Sequence, residues 1–162
     1  MHVSVDTATA RAARAAFILG LARAGAKVGD HITQSSRDAV VKAATDDAPI
    51  TYKGRRYGTR AGRIACLRHS FTYTATQAAV IGVGARVLGV PLPAGRLLAA
   101  LAVTGGSHYL IDRREPLRRA ADALGKGEFY RLNSGGMNGS YLIDQSVHHL
   151  IEALACLIPA RG

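Results

Sequence analysis

The chain has no tryptophan, and aromatic residues make up only 6% of its 162 positions. That scarcity weighs against a stacking platform for single-stranded nucleic acid. Cysteine is just as sparse: Cys66 and Cys156 lie far apart, each in an apolar run. They supply neither a disulfide framework nor the close Cys pairs of a zinc ribbon, and read as reduced core thiols of a cytoplasmic protein. Acidic residues are few, 11 Asp+Glu against 21 Lys+Arg, for a formal net charge of +10. Such a surplus favours anionic partners: phosphorylated small molecules, nucleic acid or an acidic membrane face. A long unbroken apolar span is also missing. The most apolar stretch, residues 78–102, is interrupted by Arg86, Pro91, Pro93 and Arg96 and reads as two helices and a turn. Membrane contact there stays open but is not favoured. The first six residues show no basic start followed by an apolar core, so no signal peptide is expected.

What the chain does have is helix punctuated by glycine. Its length predicts one helical domain over residues 1–162. Asp6 and Thr7 can cap a first helix reaching Gln34, with Gly25 and Gly29 as weak points. Residues 37–44 form a short second helix, ended by Asp46, Asp47 and Pro49. Residues 50–60 read equally as a small hairpin or an ordered loop. A long helix follows over 61–88, then a turn at 91–95. The next helix covers 97–113, and Gly105 and Gly106 in its middle imply close packing or a bend. Pro116 opens a short helix ending near Gly125. Residues 127–139 read as a loop, and the last helix runs over 140–158 until Pro159 stops it. The expected fold is all-α, a compact bundle of five to six helices.

Polar pairs four residues apart recur on these helices: Asp30 with Gln34, His108 with Asp112, and Asp144 with His148. Residues at i and i+4 share a helix face. A further helix contributes His69. Ionisable groups on such apolar helices need partners, because an unpaired buried charge costs several kcal/mol. A divalent cation satisfies several of them together. Imidazole and carboxylate ligands suit zinc, manganese or iron, and helix bundles build metal sites from inward-facing groups at this spacing. The expected ligands are His69, His108, Asp112, Asp144 and His148, with Asp30 as ligand or general base. Asp30, Gln34 and Asp144 are the candidate catalytic groups, and Gln34 and Gln145 orient groups by hydrogen bonds. An Asp–His pair at this spacing is also a common structural contact, and no single spacing matches H-E-x-x-H.

Other polar groups fall around this centre. Tyr73 and Gln77 lie one to two turns beyond His69 and either touch substrate or hydrogen-bond within the bundle. His31 points away from Asp30 around the helix and reads as exposed or as support for a ligand. Glu152 extends the Asp144–His148 row, and it and His149 read mostly as helix surface. Two basic clusters stand out: Lys53, Arg55, Arg56, Arg60, Arg63 and Arg68, then Arg113, Arg114, Arg118 and Arg119. Arginine forks pair well with phosphate. Arg55, Arg56, Arg60, Arg113 and Arg114 are therefore the candidate anion-binding residues, and a solvated basic surface is the plainer alternative.

The stretches Lys27–Gln34 with Lys42, then Leu67-Arg68-His69, then His108-x-x-x-Asp112, then Asp144-Gln145-x-x-His148 together resemble the bacterial and phage family known as domain of unknown function 3307. Order and approximate spacing agree over about residues 16–157. The resemblance implies a helical fold and a shared polar site, and supplies no established reaction. Lys27 stands where that family has a histidine, so either one ligand is lost or Lys27 provides a charge in its place.

These readings lead to a divalent-metal-binding helical protein, with metal-dependent hydrolysis of a phosphate-bearing, nucleotide-like or nucleic-acid-like substrate as the expected activity. The alternatives are a nonenzymatic basic module binding nucleic acid or an acidic protein, and a membrane-associated accessory protein.

Overall fold

A computed structural model describes residues 7–161. Helix α1 (Thr7–Val28) passes into a π-helical turn (Gly29–Thr33), and α2 (Ser36–Val41) follows. A two-stranded hairpin comes next, β1 (Ile50–Tyr52) with β2 (Arg55–Tyr57), then α3 (Thr59–Val87) and α4 (Ala94–Asp112). The chain continues through α5 (Glu115–Ala123), α6 (Gly127–Arg131), the minimal pair β3 (Asn133–Ser134) and β4 (Met137–Asn138), α7 (Gly139–Ala155) and α8 (Leu157–Ala160). The architecture is all-helical: α3 lies between α1 and α4, and α7 packs against α4.

Several expectations are refined. Residues 50–60 do form a hairpin, antiparallel, with Tyr52 opposite Arg55. Its turn residues Lys53 and Gly54 take φ of 48° and 74°, the left-handed pair that a two-residue hairpin loop requires. The first helix does not run regularly to Gln34. It widens at Gly29, and Ser35 then caps α2 by accepting from the Asp38 amide at 3.1 Å. The capping role of Asp6 lies outside the described residues. The stretch 127–139 is not a plain loop but holds α6 and the β3–β4 pair. Pro159 does not stop the last helix. α7 ends at Ala155, four residues earlier, and Pro159 sits inside α8.

The expected weak points of α1 are its contact points. A Cβ on Gly25 would lie 2.8 Å from the Gln77 Cα, and one on Gly29 would lie 3.0 Å from the Tyr73 Cα. Glycine therefore lets α1 press its backbone onto α3 beside two buried polar residues.

Along α3 the residues Ala65, His69, Tyr73, Gln77 and Ile81 form one buried row at four-residue spacing. Its ends enter separate apolar clusters. Ala65 packs with Val41 and Ala44; Ile81 packs with Ile18, Ala22, Leu101 and Cys156. The middle of the row is polar. Among the described residues no helix is long and apolar enough to cross a membrane.

Candidate metal centre

Three elements meet at the polar middle of the α3 row. The π-helical turn carries Asp30, α3 carries His69, and α4 carries His108 and Asp112. Wider π-type turns re-aim side chains and are frequent at functional sites, and here the distortion places Asp30 against α3. The Nε2 atoms of His69 and His108 lie 2.8 Å apart. Asp30 Oδ1 is 3.2 Å from His69 Nε2 and 3.4 Å from His108 Nε2. Asp112 Oδ2 is 3.1 Å from each of those nitrogens. Metal–ligand bonds of about 2.0–2.2 Å set neighbouring ligand atoms roughly 3–3.5 Å apart in a tetrahedral or octahedral shell. Each carboxylate oxygen thus stands from the two imidazole nitrogens at about the spacing that a shared small cation imposes on neighbouring ligand atoms.

α7 adds a second wall. His148 Nε2 lies 4.0 Å from Asp112 Oδ1 and 3.7 Å from Asp144 Oδ1, and it is buried without a hydrogen-bond partner. Asp30, His69 and His108 form one potential ligand group, and His108, Asp112 and His148 form another. The rings are held by stacking. His108 lies 3.8 Å from Tyr73 and 4.3 Å from His148 between ring centroids, with interplanar angles of 22° and 28°. The Nδ1 atoms of His69 and His108 have no hydrogen-bond partner, so packing sets these ring planes.

Charges in this pocket perturb one another strongly. Burial pushes the Asp112 carboxyl up, but hydrogen bonds from His108 and His69 and the Lys42 ammonium hold it well below the usual range. Asp30 is lowered too: burial opposes ionisation, and the His69 hydrogen bond and the nearby imidazoles prevail. Burial, then the Asp112 charge, raise the Asp144 carboxyl. Burial drives His148 down to about 3, leaving a neutral imidazole, the protonation state that coordinates metals.

Lys42 brings a cation to the centre, a residue that the spacing of polar pairs does not mark. Its Nζ donates to Asp112 Oδ2 at 2.7 Å. Arg113 fixes it in place, donating to the carbonyls of Lys42 and, at 3.0 Å, Ala44. The expectation that Arg113 binds phosphate is corrected accordingly, because its fork is occupied by backbone. Glu152 is likewise not surface. It is 2% exposed and accepts from the Tyr73 hydroxyl and, at 3.1 Å, from the Gln77 amide. Thr104 donates to Gln77 Oε1 at 3.1 Å, closing a polar layer behind His108. Tyr73 and Gln77 therefore belong to the hydrogen-bonded layer within the bundle, beside the candidate ligands. The signal for Glu152 was its position one turn beyond His148.

A cavity of about 290 Å³ opens over the carboxylates, lined by Asp30, Gln34, Lys42, Arg114, Tyr130 and Asp144 among others. The three expected catalytic groups, Asp30, Gln34 and Asp144, all face it. Arg114 is held at φ 60° on its rim, an uncommon conformation for a non-glycine residue. Lys27 is not a ligand. It donates to Gln145 Oε1, and Gln145 donates to Asp144 Oδ2 at 3.3 Å, a chain that ties α1 to α7. Arg55, Arg56 and Arg60 line a different groove and do not face this centre. His31 is exposed beside the cavity, as expected.

No known protein family, curated protein or solved structure matches the chain. Functional inference therefore rests on the site itself.

Proposed function

We propose that the protein holds a divalent zinc, manganese or iron ion between Asp30, His69, His108 and Asp112, with His148 and Asp144 at its flank, and hydrolyses a phosphate-bearing substrate. The supporting observation is the convergence of two imidazole nitrogens 2.8 Å apart with a carboxylate oxygen of Asp30 and one of Asp112, each 3.1–3.4 Å from both nitrogens, beside an open cavity that Asp30 and Asp112 line. Water alone would solvate such groups separately; packed together and buried, they call for a shared cation. The motif order that resembles domain of unknown function 3307 supplies each of these ligands. Held by these residues, such an ion would supply a bound water with its pKa lowered towards about 7 and polarisation of a phosphoryl oxygen.

The chain's own groups divide the remaining work. Lys42 and Arg114 line the cavity and neutralise a phosphate there. Gln34 Nε2 has no hydrogen-bond partner and donates to a substrate oxygen. Asp144, raised by burial, exchanges a proton near neutrality better than an ordinary carboxylate. Gln145 and Lys27 hold Asp144 in position.

Elemental analysis of protein purified without chelator tests the reading, together with hydrolysis of p-nitrophenyl phosphate and its bis-ester before and after metal removal. The expected result is about one equivalent of transition metal, lost in a His69→Ala/His108→Ala variant together with turnover. Absence of both metal and metal-dependent turnover after incubation with zinc, manganese and iron would overturn it.

A further inference from the structure

The two arginine clusters differ in how they are neutralised. On α5 and the neighbouring α6 the charges are matched by carboxylates of α5. Glu115 accepts from Arg118 and Arg119 at 2.8 Å, and Asp122 pairs with Arg118 at 3.0 Å and Arg131 at 2.8 Å. At the hairpin they are not. Arg55 and Arg56 on β2 and Arg60 in the first turn of α3 line one groove of about 540 Å³ with Arg37, Arg68 and Tyr57. Among the described residues, the ion pairs at this groove are those of Asp38 with Arg37 at 3.1 Å and with Arg68 at 2.6 Å. Asp46 is the groove's other carboxylate, and it accepts from the Thr59 amide at 3.0 Å. Arg55, Arg56 and Arg60 therefore border one groove without a carboxylate within ion-pair reach among the described residues. Unmatched charge of one sign is unfavourable in the free chain and is relieved by a polyanion.

The groove has further features of a phosphate-backbone site. Its hairpin is pinned by three paired positions and a left-handed turn, so the arginines project from a fixed frame. The Arg37 guanidinium sits 4.9 Å from the Tyr57 ring centroid and that of Arg55 5.8 Å, an arrangement that pre-orients both forks. The start of the 29-residue helix α3 also borders the groove and adds its partial positive charge.

We propose that this groove binds the phosphodiester backbone of a single nucleic-acid strand, at a site separate from the metal centre and independent of its occupancy. Guanidinium forks match phosphate oxygens bidentately, whereas a lone tyrosine offers little stacking. Binding is consequently electrostatic, blind to sequence and steeply dependent on salt.

Fluorescence anisotropy with a labelled 15-nucleotide mixed-sequence DNA strand, measured over a salt series, tests this. Arg55→Ala/Arg56→Ala/Arg60→Ala should weaken binding at least tenfold near 100 mM salt. It should also lower the slope of log affinity against log salt by about 2, since each single-strand phosphate contact contributes roughly 0.7. All three side chains are exposed, so the core is untouched. A control removing the same charge from other exposed positions, Arg11→Ala/Arg86→Ala/Arg96→Ala, should stay within twofold of the unaltered chain, as should the unaltered chain measured with chelator. Equal weakening by the control triple would reduce the effect to net charge and overturn the site. So would competition by polyglutamate of equal charge as strong as that by unlabelled strand, which would assign the groove to acidic protein.

Discussion

Replacing Lys42 with methionine probes the charge balance of the centre. The Lys42 ammonium is 13% exposed and bonds Asp112, itself 5% exposed, at 2.7 Å. Severing a buried pair of this kind costs about 3–5 kcal/mol, because the remaining charge stays buried. Lys42 retains some solvent, and His69 and His108 still contact Asp112, so the lower end, about 3 kcal/mol, applies to the metal-free chain. At roughly 2–4 °C per kcal/mol for a chain of this size, the melting temperature should fall by about 6–12 °C. A divalent ion bound at the centre would also compensate the Asp112 carboxylate. With zinc saturating, the same substitution should cost only about half as much. Linkage then requires that Lys42→Met bind the ion more tightly than the unaltered chain, by about tenfold if 1.4 kcal/mol of the loss is recovered. Differential scanning calorimetry with chelator and with zinc, paired with a competition titration for zinc affinity, measures both sides of this cycle. Phosphate-ester turnover should nevertheless drop, because Lys42 also lines the cavity. An identical loss of stability with and without zinc, or weaker zinc binding in the variant, would refute the idea that Lys42 and the ion balance the same carboxylate.

Two further outcomes follow from the same geometry. Gly25→Ala drives a methyl to 2.8 Å from the Gln77 Cα, backbone that cannot step aside, and should destabilise the chain by about 1–3 kcal/mol in urea titrations. His148 has a pKa depressed to about 3, so the unfolded chain binds the extra proton between its ordinary value and that one. Its contribution to stability is fully present above about pH 6.5 and is lost as pH falls towards 3. In chelator, His148→Gln should flatten the pH dependence of stability across that window by up to about 1.4 kcal/mol per pH unit relative to the unaltered chain. A parallel pH profile in the two proteins would show that His148 is not buried neutral.

Much of the fold was readable because helix propensity and four-residue spacing are local properties. The long α3, the break at Ser35 and the polar pairs His108–Asp112 and Asp144–His148 all follow from neighbours along the chain. Asp30 and the cavity-facing Gln34 were recognisable from the same pattern, and His69 as a lone imidazole on an otherwise separate helix. Less was readable where long-range contacts decide. Arg113 and Arg114 are adjacent and identical in type. One is consumed by the carbonyls of Lys42 and Ala44, while the other borders the cavity. Glu152 resembles any outward helical glutamate until α3 brings Tyr73 and Gln77 against it.

Composition and periodicity by themselves determined an all-helical chain with a basic surface and ionisable groups too apolar in setting to stand alone, because hydrophobic spacing and net charge need no partner to be expressed. Which of those groups meet was decided only by tertiary packing. Gly25 and Gly29 let α1 close onto α3, the turn after α1 widens at Asp30, and α7 seats His148 on His108. Distances of a few ångströms between residues far apart in sequence arise from how backbones approach one another. No local pattern encodes that approach.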